Sequence, residues 1–258
     1  MAFIEELQEA DVWSQIRHIS LEETRTVRLM NRIDTKYVAH QRYLLPLLEV
    51  AVENGYMVQY TSCALNTYDT TYYDTSSLSM YIMHQNRHLR RQKIRSRTYV
   101  DSNTTFLEIK NKNNKGRTKK IRIPITQTEK GWDTLRTDAK LFIEANTPYQ
   151  PSQLIPTLQT YFHRITLVNR EKTERITIDV DVNFKNYVNN HSCRLGELVI
   201  IELKQDGRYA SMMKEILHGF HIKPFKISKY CIGVALTDFK VKSNRFKRKI
   251  HLLNKIKP

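Results

Sequence analysis

Charged and apolar residues alternate along much of this chain, and the alternation is clearest at residues 91–99. Lys93, Arg95 and Arg97 fall two residues apart in that stretch. A β-strand sends every second side chain to the same face, so these three cations would stand in one row. Like charges in a row repel one another unless water screens them or an anion lies against them. The pattern therefore predicts a strand with an anion-binding face.

The same two-residue period recurs along the chain and predicts eight strands. They cover residues 32–38, 65–74, 91–100, 105–112, 118–126, 158–168, 174–182 and 197–204. Turn-forming residues between 91 and 126 predict consecutive antiparallel hairpins. Helical spacing predicts helices within 1–30 and over 43–53, 77–86, 130–145, 207–219 and 228–236, the first region containing a capping box at Ser20 and Glu23. An α+β fold follows from this mixture.

One face of the predicted strands is mostly basic. Its twelve basic and five acidic positions are Arg32, Asp34, Lys36, Lys93, Arg95, Arg97, Glu108, Lys110, Lys112, Lys120, Arg122, Arg164, Arg175, Asp179, Asp181, Glu202 and Lys204. The opposite faces carry Ile and Leu, which need an apolar cover. A sandwich with solvated charges fits this pattern. A barrel with a charged lumen and helices packed outside fits it too, and would leave no free sheet edge.

Two features favour the barrel. The central strands are dominated by cations, whereas a solvated sheet face usually mixes Lys with Glu, Thr and Ser, and the predicted helices suffice to cover the apolar faces. Such a lumen is stable only when it holds a polyanion, compensating carboxylates and water. We therefore predict an eight-stranded antiparallel β tunnel, a closed barrel whose charged lumen binds a triphosphate or a polyphosphate.

The composition agrees with a polyanionic partner. The 258 residues include 42 Lys and Arg against 26 Asp and Glu, a formal net charge of +16. This excess is typical of proteins that bind nucleic acid, phospholipid surfaces or phosphorylated small molecules. The three cysteines lack any zinc spacing, which favours a reducing compartment. Because no apolar run reaches the roughly 18 residues of a membrane span, a cytoplasmic protein without a transmembrane segment is predicted.

Three regions are predicted: an N-terminal helical segment (1–30), a tunnel domain (31–239) and a basic C-terminal tail (240–258). The tail carries eight basic residues and no acidic residue. It could bind nucleic acid, lie on a membrane surface or hold an emerging polyanion. Nucleic acid is disfavoured because the sequence lacks zinc-finger, RRM, KH and helix-turn-helix signatures.

Carboxylates among the lumen cations are candidate metal ligands. Glu202 and Glu108 are the predicted ligands of Mn²⁺ or Mg²⁺, with Asp34 and Asp179 or Asp181 as further candidates. Phosphate and water would complete the coordination of these oxygen-preferring ions. The same carboxylates would serve equally well as salt-bridge partners that spread the positive charge.

Nine short motifs follow one another along the chain. They are Asn31-Arg-Ile-Asp-Thr-Lys-Tyr37, Tyr73-Asp-Thr75, Lys93-x-Arg95-x-Arg97, Glu108-Ile-Lys110-x-Lys112, Lys120-Ile-Arg122, Tyr161-x-x-Arg164, Arg175-x-Thr-x-Asp179, Ile201-Glu-x-Lys204 and Ser228-Lys-Tyr230. In this order they resemble the VTC-type polyphosphate polymerase domain, the catalytic part of the vacuolar transporter chaperone complex. That family belongs to the triphosphate tunnel metalloenzymes and is similar in fold to the CYTH proteins.

The resemblance implies a site as well as a fold. Its phosphate-binding positions match Lys36, Arg95, Arg97, Lys110, Lys120, Arg164, Arg175 and Lys229, and its metal-binding glutamate matches Glu202. From the face pattern, further contacts to the substrate are predicted for Arg32, Lys93, Lys112, Arg122 and Lys204. Asp34 departs from the family, which usually has Glu there, so a role for this carboxylate does not carry over.

The implied activity is transfer of the ATP γ-phosphate onto a growing inorganic polyphosphate chain, assisted by Mn²⁺ or Mg²⁺. The closest alternative is an inorganic triphosphatase or nucleoside triphosphatase of the same fold, and a basic nucleic-acid-binding module is the second. The Glu-x-Glu-x-Lys opening typical of CYTH hydrolases is absent, which favours the polymerase. The membrane domains of the family lie outside this sequence, so a membrane-protein partner is a further candidate.

Overall fold

The computed structural model describes residues 2–27, 32–126, 137–207 and 209–256, and a large sheet dominates it. Its strands are β1 (Arg17–Ile19), β2 (Arg32–His40), β3 (Met57–Gln59), β4 (Asn66–Thr75), β5 (Arg91–Tyr99), β6 (Thr104–Lys112), β7 (Thr118–Ile125), β8 (Leu154–Val168), β9 (Glu174–Asn186), β10 (Ser192–Arg194) and β11 (Leu198–Asp206). Eight lie side by side as β2-β11-β9-β8-β4-β5-β6-β7, each antiparallel to its neighbours. All eight predicted strands are present, and the predicted α+β class is confirmed.

Helices surround this sheet. They are α1 (Ala2–Glu9), α2 (Val12–Gln15), α3 (Leu21–Thr26), α4 (Leu44–Glu53), α5 (Ser79–Gln85), α6 (Thr137–Asn146), α7 (Met212–Gly219), α8 (Lys229–Thr237) and α9 (Asn244–Ile256). The predicted capping box starts α3: the Glu23 N–H donates to the Ser20 hydroxyl, and the Glu23 carboxylate accepts from the Ser20 N–H. In the described part of the chain, every helix is too short or too polar to span a bilayer.

Two sequence predictions differ from these elements, and some lie outside the described residues. Residues 240–258 were expected only as a basic tail, but α9 forms there because Phe246 and Leu253 bury themselves at helical spacing. β1, β3 and β10 were not predicted, being only three residues long each. Outside the described residues lie Met1, residues 28–30, Asn31 of the first motif, residues 127–136, Arg208, Lys257 and Pro258. The start of the helix predicted over 130–145 is among them.

The helices cover the apolar face of the sheet, as the alternation predicts. α4 and α7 share one buried apolar cluster with β2, β8, β9 and β11, and Leu47, Leu217, Ile176 and Ile201 belong to it. A second layer forms where Ile143 of α6 packs against β5 and β6. Burial of these side chains stabilises the fold by roughly 1.5–3 kcal/mol each. The apolar face therefore points outward to the helices, and the charged face is left to line the interior.

The sheet curls so strongly that strands far apart in its order face each other. Lys36 Nζ of β2 lies 3.4 Å from the Ile227 carbonyl oxygen, and Lys93 Nζ of β5 lies 2.9 Å from the Ser228 hydroxyl. Ile227 and Ser228 are neighbours in sequence, yet β11, β9, β8 and β4 separate β2 from β5 in the sheet. The two strands thus form opposite walls of one cavity, and residues 224–228 cross between them.

The predicted closed barrel is wrong, because the sheet is open. Among the described residues, β2 and β7 are edge strands that do not pair with each other. The crossing segment takes the free edge of β2: the Phe225 N–H donates to the Lys36 carbonyl oxygen at 2.6 Å, and Tyr37 bridges to Pro224. β7 carries Pro124, which has no N–H to offer a further strand. Its exposed cations also make it a protected edge.

Helix α8 fills one end of the cavity with apolar side chains. Tyr230 and Val234 are buried there against Leu158 and Phe184 of the sheet. The approach is so close that a Cβ on Gly233 would lie 2.5 Å from Leu158 Cδ2. This packing fixes α8 in place, and with it the residues at its N-terminus that face the charged part of the cavity.

Candidate functional site

The concave face of the sheet holds cations in excess over carboxylates. The described residues in this cluster are Lys36 on β2, Lys93, Arg95 and Arg97 on β5, Glu108 and Lys110 on β6, Arg164 on β8, Arg175 and Asp179 on β9, Glu202 and Lys204 on β11, and Lys229 on α8. The sequence predicted each of these positions. The sequence also predicted that they share one cavity, and contacts such as those of Lys36 with Ile227 and of Lys93 with Ser228 bring them together on the concave face of the sheet.

Glu108 anchors one wall of the site. Its Oε2 accepts from Arg95 Nε at 2.8 Å and from Nη2 at 2.6 Å, and its Oε1 lies 3.1 Å from Lys120 Nζ. The side chain is fully buried. Burial alone would raise the pKa of Glu108, but Arg95, Arg97 and Lys120 lower it below its usual range. Both oxygens of Glu108 are thus held by cations, which favours the salt-bridge role over the metal-ligand role.

Asp179 organises the opposite wall in the same way. Arg164 donates to it through Nε at 2.5 Å and Nη2 at 2.9 Å, and Lys229 contacts the second oxygen. Burial opposes the ionised form of Asp179, but Arg164 and Lys229 hold its pKa below its usual range. Ser228 caps α8 by accepting from the Cys231 N–H, which places Lys229 at the cavity. Asp179 therefore fixes two cations from different elements.

Several cations face other cations directly across the sheet. Register pairs Arg91 with Lys112, Lys93 with Lys110, and Lys110 with Lys120. Like charges directly opposite on neighbouring strands destabilise the pair. The pKa of Lys110 is well below its ordinary value, first because of the Arg95 charge and then because of burial. Repulsion between these cations therefore destabilises the unliganded site, and a bound anion would reduce this repulsion.

Aromatic side chains form the floor between the cations. The guanidinium of Arg164 lies 4.8 Å from the Tyr68 ring centre and 5.3 Å from that of Phe162, and Arg97 lies 5.3 Å from Tyr68. Stacking on a ring holds a guanidinium in place without neutralising it. These residues were missed as site residues. Tyr68 lies on the cavity-facing side of β4, and Phe162 lies two residues before Arg164, a spacing that places both on one strand face.

The pKa of Tyr72 reflects the positive electrostatic potential of the cavity. Its hydroxyl lies 3.4 Å from Arg95 Nη1. Burial would raise the pKa of Tyr72, but Arg95, Lys93 and Arg97 together lower it to about 8. Burial also lowers the pKa of Lys229 to about 8 despite its contact with Asp179. Both shifts favour the less positive form, as expected where positive charge is in excess.

Other predicted residues lie at the rim instead of inside. Arg32 pairs with Asp34 at 2.7 Å, with side chains 45% and 36% exposed. Arg122 is exposed over the Phe106 ring, 4.2 Å from its centre. Lys112 is half-buried at the end of β6.

Asp181 does not join the cavity cluster. It pairs with Arg194 on β10 at 2.7 Å. Its backbone is left-handed, with φ of 47°, beside the register shift between β8 and β9. The extra residue of this bulge breaks the two-residue alternation, so Asp181 does not follow the face of Asp179.

Glu202 is the carboxylate best suited to a metal ion. Its side chain is 23% exposed, and Lys204 Nζ lies 3.4 Å from Oε2. Burial opposes ionisation, yet Lys36, Lys204 and Arg164 hold the pKa of Glu202 well below its usual value. Among the described residues, no three His, Cys, Asp or Glu side chains form a metal cluster. Glu202 would thus supply a single hard oxygen ligand, and phosphate and water would supply the rest.

Comparison with solved structures finds matches at low sequence identity. A candidate adenylate cyclase from Vibrio parahaemolyticus is 13% identical with a TM-score of 0.47, covering 80% of this chain and 99% of that chain. Another from Bacillus halodurans is 14% identical with a TM-score of 0.48, covering 77% and 96%. A candidate adenylyl cyclase from Hippeastrum, described as having a dominant triphosphatase activity, is 11% identical with a TM-score of 0.48, covering 80% and 96%. These likenesses are too distant to indicate a substrate.

The family relationship comes from the sequence itself. A comparison with curated proteins finds no match to this chain. A family model described as the VTC domain matches residues 31–238, which is most of the chain and includes every cavity residue described above. The chain therefore belongs to the VTC domain family, and the resemblance of its nine ordered motifs is confirmed.

Proposed function

We propose that this protein is a polyphosphate polymerase that transfers the γ-phosphoryl group of ATP to the end of an inorganic polyphosphate chain. In this proposal the cavity works as a tunnel that holds the donor and the growing chain in line. A terminal oxygen of the chain attacks the γ-phosphorus, the bond from that phosphorus to the ADP oxygen breaks, and ADP leaves. The acceptor is phosphate, so no nucleophilic side chain is required.

The observation that carries the proposal is the row of facing cations on β5, β6 and β7. Lys110 lies between Lys93 and Lys120 in the register, while Glu108, a carboxylate on the same strand, is already held by Arg95. Such an arrangement costs free energy in the unliganded protein. It becomes favourable when a linear polyanion lies along it, because each phosphate then meets several cations at once.

The two anchored arginines match what phosphoryl transfer needs. The reaction depends on in-line alignment and on positive charge against the phosphate oxygens, with little covalent chemistry from the protein. Arg95 and Arg164 are each fixed by a buried carboxylate, so they offer preset donors to phosphate oxygens. Lys36, Lys110 and Lys229 add point charges against the phosphate oxygens.

Glu202 is proposed as the ligand of Mn²⁺ or Mg²⁺. When bound, the ion would act as a Lewis acid that offsets the negative charge on the donor and the leaving group. The ionised, partly exposed carboxylate fits this role, whereas both oxygens of Glu108 are taken by Arg95 and Lys120.

The proposed setting is the cytoplasm, where ATP is available. Cys63, Cys193 and Cys231 are free thiols, which fits a reducing compartment. A membrane-protein partner that receives the product is part of the same proposal.

Product analysis tests the activity directly. Purified protein incubated with ATP and Mn²⁺ is expected to form long polyphosphate, which appears as a high-mass ladder on a toluidine-blue gel together with ADP. Release of free phosphate without a ladder would assign the cavity to a triphosphatase instead, because water would then be the acceptor. Absence of both products would contradict an enzymatic role.

Substitution of Lys110 is expected to separate stability from activity. Lys110→Met removes a cation that faces two others, so the free energy of unfolding of the unliganded protein should rise by about 1 kcal/mol. It also removes a donor to phosphate, so turnover should fall about 100-fold. The matched control is Lys119→Met, which removes an exposed cation one residue from Lys120 on β7. Thermal melts and ADP release measure the two effects, and a Lys110→Met variant with wild-type turnover would contradict the site assignment.

The lowered pKa values predict opposite pH trends for stability and binding. Lys229 and Tyr72 titrate near pH 8 in the folded protein, below their ordinary values, so the unfolded chain binds more protons between about pH 8 and pH 9.5. The unliganded protein should therefore gain stability across this range. Tripolyphosphate needs the protonated lysine, so its affinity should fall over the same range and its binding should take up protons.

Calorimetry in two buffers of different ionisation enthalpy measures this uptake, and absorbance at 295 nm follows Tyr72. Added tripolyphosphate should reduce the tyrosinate signal at pH 9. An affinity that stays constant from pH 7 to pH 9.5, without proton uptake, would contradict the prediction.

A further inference from the structure

A second basic surface lies outside the cavity, beside the end that α8 fills. Helix α9 buries Phe246 and Leu253 against the rest of the fold and leaves Lys247, Arg248 and Lys255 exposed. No acidic residue occurs in the described residues 240–256. The helix therefore presents positive charge that its own sequence does not compensate.

Contacts with α5 fix the position of α9. The Tyr81 hydroxyl donates to the Lys242 carbonyl oxygen at 3.0 Å, and Lys242 Nζ lies 3.3 Å from Asn86 Oδ1. The Phe246 ring packs 6.4 Å from the His84 ring. Because α5 leads directly into β5, these contacts place α9 next to the strand end that carries the first cations of the cavity wall.

Rim cations join this helix to the cavity. Arg91 lies opposite Lys112 in the register, two residues from the facing pair Lys93 and Lys110 inside. Lys226 is exposed on the crossing segment, whose next residue contacts Lys36. Cations therefore continue from the interior, over the rim, to the outside.

The charges of these groups act on one another. Burial and the charges of Arg91 and Lys226 lower the pKa of Lys112, and burial together with the charges of Arg87 and Lys226 lowers the pKa of Lys249 on α9. Lys226 is thus close to both the rim and the helix. We name Arg87, Arg91, Lys112, Lys226 and Lys249 the basic track.

A half-buried histidine, His84, packs against Phe246 of α9 next to these cations. Burial, together with Lys93, Arg91, Lys249 and Lys112, lowers the pKa of His84 to about 3. Every one of these charges is positive. His84 therefore lies between the cavity wall and α9, in a region where cations accumulate from both sides.

We propose that the basic track binds the part of a polyphosphate chain that extends beyond the cavity. This inference rests on the proposed function for the identity of the polymer. A linear chain of phosphates without bases suits the surface, because α9 has no Tyr or Trp and its Phe is buried, which leaves it without the stacking platform that single-stranded nucleic acid uses. A chain long enough to occupy both cavity and track gains affinity, since its second contact is intramolecular.

Chain length separates the track from the cavity in a binding experiment. The double variant Lys226→Gln and Lys249→Gln is compared with Lys185→Gln and Lys214→Gln, which remove two exposed cations from β9 and α7. Fluorescence titration measures binding of tripolyphosphate and of polyphosphate of about 100 units. The track variant is expected to lose about 10-fold in affinity for the long chain, and its salt dependence should weaken by about two counterions. The track variant should bind tripolyphosphate within about twofold of the wild-type affinity. The control variant should bind both ligands within the same limit.

Three results would overturn the inference. Unchanged long-chain affinity in the track variant would show that the chain does not reach Lys226 and Lys249. Equal losses for both ligands would assign these lysines to the cavity. The third result concerns single-stranded DNA of the same charge as the polyphosphate. If the wild-type protein binds this DNA as tightly as polyphosphate, and the track variant loses the same affinity for both, the surface would be assigned to nucleic acid. This experiment measures binding and does not depend on turnover. Failure to synthesise polyphosphate from ATP would therefore refute the proposed activity without changing the interpretation of the binding data.

Discussion

Repulsion among cations that share a poorly solvated cavity is the interaction on which this structure depends. Lys110 faces Lys93 and Lys120 in the strand register, and its pKa is depressed first by the charge of Arg95. Glu108 and Asp179 neutralise only part of the charge, and each does so by fixing an arginine in place. The fold thus keeps donors preset for an anion and accepts lower stability without one.

The outer helices make this inside-out arrangement possible. α4, α6 and α7 bury the Ile and Leu side chains of the strands, so the apolar contacts that hold the sheet lie outside it. With the core on the convex side, the concave side is free to carry charge. α8 then fills one end with Tyr230 and Val234, and its capped N-terminus brings Lys229 to Asp179.

Local pattern predicted the strands and the cavity cations because side-chain alternation is a property of each strand alone. Closure of the sheet was not predictable in this way, since it depends on whether two edges meet, and here the segment at Phe225 occupies one of them. Asp181 illustrates a second limit. Asp181 lies two residues after Asp179 and was therefore predicted on the same strand face. A β-bulge changes the direction of its side chain, which pairs with Arg194 instead. α9 was expected only as a basic tail, because a helix that rests on two buried residues gives a weak apolar signal.

Thermal unfolding with added anions tests most directly whether the cavity is built around a string of phosphates. Tripolyphosphate at about 100 times its dissociation constant should stabilise the protein by about 2.7 kcal/mol. Sulfate at the same ionic strength should give much less, because a single small anion cannot span the walls that carry Lys36 and Lys93. Equal stabilisation by sulfate and tripolyphosphate, or none by either, would contradict the account.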